Sequence, residues 1–492
     1  MFDVIVGVLI VPLLTGILAL LLKSPIVAAW LNLGGSAVTA AGLFWLVKAI
    51  LVQTTAFQQG IFLLDPLSGV FLLIVGLLGL MAALYSLPYM QRELAEGHVS
   101  ARMIPRYYAL FQFFVLTMIF TLVVENLGLL WVAVEATTLV SALLVAFYLN
   151  RSSLEAAWKY VMVCSVGIAM ALLGIILLYY AQAQAGYADG QPLSWLELRA
   201  QMPRFNPALV KLAVIFIIIG YGTKAGLAPM HTWLPDAHSQ APTPVSGLLS
   251  GALLSCAMYA IARNLAVVNL APGAGRTAGQ LLTGFGLFSI GIAVPFLILQ
   301  HDIKRLLAYS SVENMGLIAL GFGTGSPLGL YGALLHLLNH AVGKSALFFV
   351  AGVLIQKFHT KQILRIRGMI ETAPVLGGLF ITAVLAVAGM PPFSLFLSKL
   401  TIVQALFADG WLAGLLTLLL LGGVFAGVIY YMLGMAFGAP APGMEKRDIS
   451  PAMLPSILLL VLLLAATGIW LPDWLDGLIR AAASIVAGGI QQ

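Results

Sequence analysis

The chain is 492 residues long, 61% hydrophobic and only 9% charged. Soluble domains carry about 25% charged residues, so this balance excludes a soluble enzyme or binding module and leaves a polytopic membrane protein. The net charge of +6 comes from scattered loop lysines and arginines with no basic patch for nucleic acid. Cys164 and Cys256 both lie inside apolar segments, away from any disulfide or CxxC pattern.

A helical span needs roughly 20 mostly apolar residues. In chain order, about fourteen such stretches are predicted: 3–22, 25–50, 62–88, 106–124, 126–149, 154–181, 206–227, 242–266, 278–300, 303–322, 327–355, 373–406, 411–436 and 452–472. The first begins at once with "MFDVIVGVLIVPLLTGILALLLK". It has no basic leader and no A-x-A-like site, and reads as a retained span. The short apolar tail from Trp474 is expected along the surface. Residues 1–492 are thus read as one all-α integral-membrane domain, with 452–492 its last span and tail.

An even number of spans puts both termini on one side, and loop lysines and arginines choose that side. One set of alternate loops carries Lys23, Arg92, Arg102, Arg106, Arg151, Lys304, Arg305, Lys357, Lys361, Arg365, Arg367, Lys446 and Arg447. The other carries Arg199, Arg204, Lys211, Arg263, Arg276 and Arg480. The richer set is expected to face the cytoplasm, which places both termini on the periplasmic side of a cytoplasmic (inner) membrane.

Lys48 sits near a span end, where it can snorkel, and Lys159 follows Glu155 by four residues, an interfacial ion pair. Lys224, Lys344 and Lys399 lie well inside apolar segments. A charge near the bilayer centre costs about 2.5–3.5 kcal/mol on insertion scales, and such residues mark ion paths by default. Glu135 in "GLLWVAVEATTLVSALLVAF" is the acidic counterpart. Desolvation pulls a buried lysine toward its neutral form and a nearby carboxylate pushes it back, so a Glu135–Lys224 pair can switch. His336, His340 and Lys344 recur at i, i+4 and i+8, one face of a helix. With no HExxH glutamate and no third ligand, that stripe suits proton hopping by groups that titrate near neutrality, and no metal is expected.

Two breaks interrupt the apolar pattern. Gly226 and Pro229 follow Lys224, and Pro391 and Pro392 precede Lys399. Broken helices at membrane depth line a cavity or lie inside protein, and paired breaks point to inverted repeats. The breaks fall in spans seven and twelve, an offset of five. This predicts two five-helix repeats, 106–266 and 278–436.

"GTKAGLAPMHTWLPDAHSQAPTPVSGLLSGALL", "HDIKRLLAYSSVENMG" and "HLLNHAVGKSALFFVAG" resemble the antiporter-like proton-pumping subunits of respiratory complex I, of cation/proton antiporters and of membrane-bound hydrogenases, over about residues 60–435. "WVAVEATTLVSALLVAFYLNRSSLEAAWKYVMVCSVGIAMALLG" looks closest to component F of hydrogenase 4 and its formate hydrogenlyase relatives. The resemblance implies fourteen helices with two inverted five-helix repeats and a central polar axis. In it Glu135 pairs with Lys224, His336, His340 and Lys344 form the span-eleven part, and Lys399 is the exit group. It places Asp302, Lys304 and Glu313 at the loop and start of span ten. His231, Asp236 and His238 fall at the cytoplasmic end of broken span seven, with Lys159 in support. One departure is Ser255 in span eight, where the family commonly has a lysine or histidine. A serine holds no proton charge, so the relay there crosses by water or is interrupted.

The chain carries no cysteine cluster for iron–sulfur centres, and no cofactor is expected on it. Driving energy is then expected from partners: other membrane subunits and a peripheral redox arm with iron–sulfur and nickel–iron centres, which makes the chain a subunit of an oxidoreductase rather than an enzyme alone. The alternatives are a Na+/H+ antiporter subunit, a membrane partner in inorganic-carbon uptake, or an anchor that has lost pumping.

Overall fold

A computed structural model describes residues 1–53, 56–186, 191–440 and 450–489; Lys446 and Arg447 of the cytoplasmic set lie outside them. The fold is all-helical apart from one small hairpin, β1 (Phe57–Gln59) with β2 (Phe62–Leu64). In chain order the helices are α1 (Phe2–Leu21), α2 (Pro25–Val52), α3 (Pro66–Ala95), α4 (Met103–Val123), α5 (Leu127–Val145), α6 (Arg151–Gln184), the short α7 (Trp195–Gln201), α8 (Pro207–Ala225), α9 (Trp233–Gln240), α10 (Thr243–Leu248) and α11 (Leu254–Val268). They continue as α12 (Ala274–Ile298), α13 (Ile303–Gly323), α14 (Pro327–Phe358), the single turn α15 (Met369–Thr372), α16 (Pro374–Ala388), α17 (Ser394–Asp409), α18 (Trp411–Phe437), α19 (Leu454–Ile469) and α20 (Asp473–Val486).

Helix starts follow the local chemistry. Asp65, Asn126, Asn150, Asn206, Asp302 and Ser326 each turn a side-chain oxygen onto the first free N–H groups of the next helix. Proline at the first helical position, where its missing N–H costs nothing, follows the cap at Pro25, Pro66, Pro207 and Pro327.

Among the described residues, eleven helical segments are long and apolar enough to cross a membrane, or twelve with the bent α19–α20 pair. Two of the fourteen expected spans fall outside that set for a physical reason. α13 is long enough but carries Lys304, Arg305 and Glu313. The expected span 373–406 is split at its break into α16 and α17, of 15 and 16 residues. The tail beyond Trp470 folds as α20, turned 81° from α19, and buries Leu475, Leu478, Ile479 and Ala482 against α3 and α14.

Burial sorts the helices. α1, α2, α6, α12 and α18 expose broad apolar faces, with Leu18, Leu21, Trp158, Phe296 and Leu419 among the exposed side chains, as a lipid-facing shell requires. α10–α11 and α14 are enclosed, their apolar windows 100% and 94% buried, and α13 is buried through most of its length. A π turn, Leu249–Leu253, joins α10 to α11; such turns recur at functional sites. There the chain presses on α14. A Cβ on Gly251 would stand 2.8 Å from the Ala341 carbonyl oxygen and from Ser345 Oγ, and one on Gly247 would stand 2.8 Å from the Phe349 ring.

Arg263 does not sit in a loop as the sequence pattern has it. It is buried on α11, and its guanidinium grips Asp65 through Nη1–Oδ2 (2.5 Å) and Nη2–Oδ1 (2.6 Å), with Ser68 and Tyr259 as further partners. This fork ties α11 to the start of α3. Removing one partner of a buried pair leaves an uncompensated charge, at about 3–5 kcal/mol. Arg263→Met is therefore expected to lower the thermal unfolding midpoint of the detergent-solubilised protein, and Arg263→Met with Asp65→Asn to recover part of the loss.

Candidate functional site

α8 ends on Gly226, which adopts φ +78°, the left-handed conformation glycine tolerates. The Leu227 N–H donates back to the Gly222 carbonyl at 2.9 Å, which closes the helix end. A Cβ on Gly226 would also press on the Leu234 side chain, so a larger residue is strained there. The freed Thr223 carbonyl accepts from the Trp233 indole at 2.9 Å, and the Ala228 N–H donates to Ser289 Oγ at 2.9 Å. The break thus keeps its backbone polar groups paired inside protein, the condition for irregular backbone at membrane depth.

Lys224 lies in the last turn before this break and is fully buried. Its Nζ donates to Thr138 Oγ1 at 2.8 Å and to the Tyr160 hydroxyl at 2.6 Å, with the Tyr160 ring 4.7 Å away. Glu135 accepts from Thr138 Oγ1 at 3.1 Å and from Ser165 Oγ at 2.8 Å. Glu135 and Lys224 therefore do not pair directly. The Thr138 hydroxyl stands between them, accepting from the lysine and donating to the carboxylate. Helical spacing explains this: Thr138 is three residues after Glu135 and shares its face.

The second break repeats the geometry of the first. α16 ends on Gly389 at φ +87°, and the Met390 N–H donates to the Leu385 carbonyl at 3.0 Å. A Cβ on Gly389 would stand 2.9 Å from Lys399 Cδ, so the lysine stem lies across the break. Lys399 Nζ pairs with Glu313 Oε1 at 3.1 Å. Glu313 is not at the start of its helix but ten residues in, where it is buried and bonded to Asn314 Nδ2. A narrow apolar crevice of about 20 Å³, lined by Leu307, Phe380, Val384 and Val428 among others, reaches this pair.

His336, His340 and Lys344 are fully buried along α14. His336 is held by Ser398 Oγ (2.9 Å) on Nδ1 and by Asn314 Oδ1 (2.8 Å) on Nε2, and Asn314 in turn bonds Glu313. The imidazole is thereby linked to the Glu313–Lys399 pair. Among the described residues, neither ring nitrogen of His340 makes a hydrogen bond of normal geometry. A buried polar group left unpaired costs about 1–3 kcal/mol, so this ring belongs with water. Lys344 Nζ donates to the Leu307 carbonyl at 2.9 Å.

The remaining candidates fall into two groups. Asp236 is an ion-pair hub at the end of the first break, reached by Lys159 (3.4 Å) and Arg305 (3.2 Å), and Lys159 also pairs with Glu155 at 2.6 Å. His231 and His238 are buried, each with one unpartnered ring nitrogen; His238 Nδ1 bonds the Leu234 carbonyl at 2.9 Å. Ser255 turns its hydroxyl back to the Gly251 carbonyl at 2.6 Å. Asp302 serves as the cap of α13, and Lys304 Nζ donates to the Ala241 carbonyl at 2.6 Å. Lys361, in the turn after α14, donates to the Ser239 carbonyl at 2.7 Å, and burial holds its ammonium below the usual lysine range. Thr138, Tyr160, Asn314 and Ser398 carry the links but escaped the sequence reading, since hydroxyl and amide side chains are ordinary inside helices. Among the described residues, no three His, Cys, Asp or Glu side chains gather as a metal-ligand group.

Broken helices with buried, hydroxyl-linked lysines, histidines and carboxylates define a polytopic membrane protein with a polar axis inside its bundle. The family model described as "NADH:quinone oxidoreductase/Mrp antiporter, TM" matches residues 124–426, and that of the "NADH-Ubiquinone oxidoreductase (complex I), chain 5 N-terminus" matches residues 59–97. The chain belongs to this antiporter-like family of membrane subunits. It is 38% identical over 412 residues to a hydrogenase-4 component F homolog of Methylacidiphilum infernorum, covering 84% of this chain and 86% of that one. It is 31% identical over 417 residues to NADH-quinone oxidoreductase subunit N of Desulforudis audaxviator, covering 82% and 80%. Its fold matches a chain of an archaeal membrane-bound sulfane sulfur reductase with a TM-score of 0.88 at 23% identity over 98% of both chains. It likewise matches a chain of respiratory complex I from Thermus thermophilus with a TM-score of 0.83 at 23% identity, over 98% of this chain and 99% of that one.

Thr138→Val keeps the shape of the side chain but removes the hydroxyl, leaving Lys224 one partner short. The variant is expected to lose about 1–3 kcal/mol, read as a lower denaturation midpoint in detergent, whereas Thr138→Ser retains the wild-type value.

Proposed function

We propose that this chain is the proton-translocating membrane subunit of a respiratory redox complex of hydrogenase-4 or complex I type. Protons move along Glu135, Lys224, the α14 stripe of His336, His340 and Lys344, and the Glu313–Lys399 pair. The observation that carries this reading is the burial of Lys224, His336, His340 and Lys344, each at 0% exposure, on the enclosed helices beside both breaks. Buried ionisable groups are expensive to retain in a membrane and mark ion paths. Histidine exchanges protons near neutrality, and the Thr138 hydroxyl lets the charge on Glu135 act on Lys224 without direct contact.

In this reading the membrane holds fourteen spans. α13 counts as one, with Glu313 and Lys304 turned inward, α16–α17 counts as one broken span, and α19 is the last. Two inverted five-helix repeats, 106–266 and 278–436, each contain one break, and the matching caps at Gly226 and Gly389 support that symmetry. The lysine- and arginine-rich face is cytoplasmic, with both termini on the other side. The relay passes Ser255 by water. Redox energy enters from partner subunits, including a peripheral arm with iron–sulfur and nickel–iron centres.

A second reading is favoured by the family description itself, which joins quinone oxidoreductases and Mrp antiporters: the same axis serves Na+/H+ exchange. Reconstitution of the intact complex into proteoliposomes tests both. Lys224→Ala and Glu135→Gln are expected to cut proton translocation by roughly 10²-fold while redox turnover persists. Wild-type pumping in both variants sinks the relay, and sodium-driven exchange without any redox substrate selects the antiporter reading.

A further inference from the structure

Glu93, in the last turn of α3, is buried at 5% exposure and lies outside the axis described above. Its carboxylate accepts from Gln356 Nε2 on α14 at 2.9 Å and from the Tyr148 hydroxyl, in the link between α5 and α6, at 3.1 Å. The Tyr89 hydroxyl is 3.2 Å from that of Tyr148. Tyr89 also neighbours Thr243 at the start of α10.

Each charged group around Glu93 makes its closest contact elsewhere, with one exception. Arg92 holds Glu96 at 2.7 Å and the Gln356 carbonyl at 2.5 Å. Lys304 and Lys361 feel the Glu93 charge, but their ammonium groups donate to the Ala241 and Ser239 carbonyls. The exception is His98, whose Nδ1 lies 3.4 Å from Glu93 Oε2 and 3.7 Å from Glu96 Oε2. Its side chain is 54% exposed. A buried carboxylate 3.4 Å from an exposed histidine has a proton donor within reach whenever that histidine is protonated.

We propose that Glu93 is the proton-accepting group of an uptake port on the lysine- and arginine-rich face, loaded from His98 and emptied through Tyr148 and Tyr89 toward Thr243 and the axis. The His98 Nδ1 proton moves to Glu93 Oε2, leaving a neutral imidazole. The acid then gives a proton to the Tyr148 oxygen as Tyr148 gives its own to Tyr89, Tyr89 gives its own to the Thr243 hydroxyl, and Thr243 gives its own to a water molecule on the axis side. One proton advances and the hydroxyls turn back. The His238 ring, with Nε2 unpartnered, lies within electrostatic reach of Lys344. This port rests on the proton-translocating reading.

The test uses the whole complex in proteoliposomes, with a pH dye reporting protons moved per redox turnover. Glu93→Gln is expected to lower that ratio about tenfold or more, and Glu93→Asp to restore most of it. His98→Ala, at an exposed position that leaves the fold intact, slows uptake, and imidazole added on the His98 side recovers it. A role in holding helices together does not respond to imidazole. Full translocation by Glu93→Gln beside a silent Lys224→Ala overturns the port alone, as does a His98→Ala variant that pumps normally. Normal pumping by Lys224→Ala overturns the relay and the port together.

Discussion

The Lys224 ammonium is fully buried, and its environment is built to answer that. Taking such a group out of water costs several kcal/mol, and only nearby dipoles and opposite charge return it. The Tyr160 oxygen and ring, the Thr138 hydroxyl and, one bond further, the Glu135 carboxylate supply that return. Each of these partners sits on α5 or α6, while Lys224 sits on α8. The packing of three helices is thus fixed by one charge, and the Gly226 break directly after it gives that charge a polar, paired backbone in place of a greasy continuation.

The second half of the bundle meets the same constraint differently. Lys399 finds its carboxylate directly in Glu313, and Asn314 carries that carboxylate's influence to His336. Direct pairing locks charge more firmly than a hydroxyl bridge does, since Coulomb energy falls with distance. The charges of the first site are therefore coupled more loosely than those of the second. His340, fully buried, lies between His336 and Lys344 on α14.

Much of this was legible in the sequence because charges inside apolar runs are conspicuous. Glu135, Lys224, the α14 stripe, Lys399 and both breaks stand out against their surroundings, and the membrane class follows from composition. The linking groups were not legible. Thr138 and Ser398 are unremarkable inside helices, and only three-dimensional packing gives them partners. Arg263 looked like a loop cation because it lies near a span end, and its pairing with Asp65 depends on a contact 198 residues distant in sequence. Glu313 and Lys399 were each noticed, yet their pairing across 86 residues was not. The span count blurred where a helix carries charge that the bundle itself satisfies.

The contacts at Gly247 and Gly251 carry a mechanical consequence. With the α14 backbone and side chains seated where a methyl group would be, the π turn and α14 are interlocked like a key in a slot. Neither helix can slide along the other by a full turn without driving side chains through the opposite backbone. Displacing one along the other therefore requires this close packing to open first.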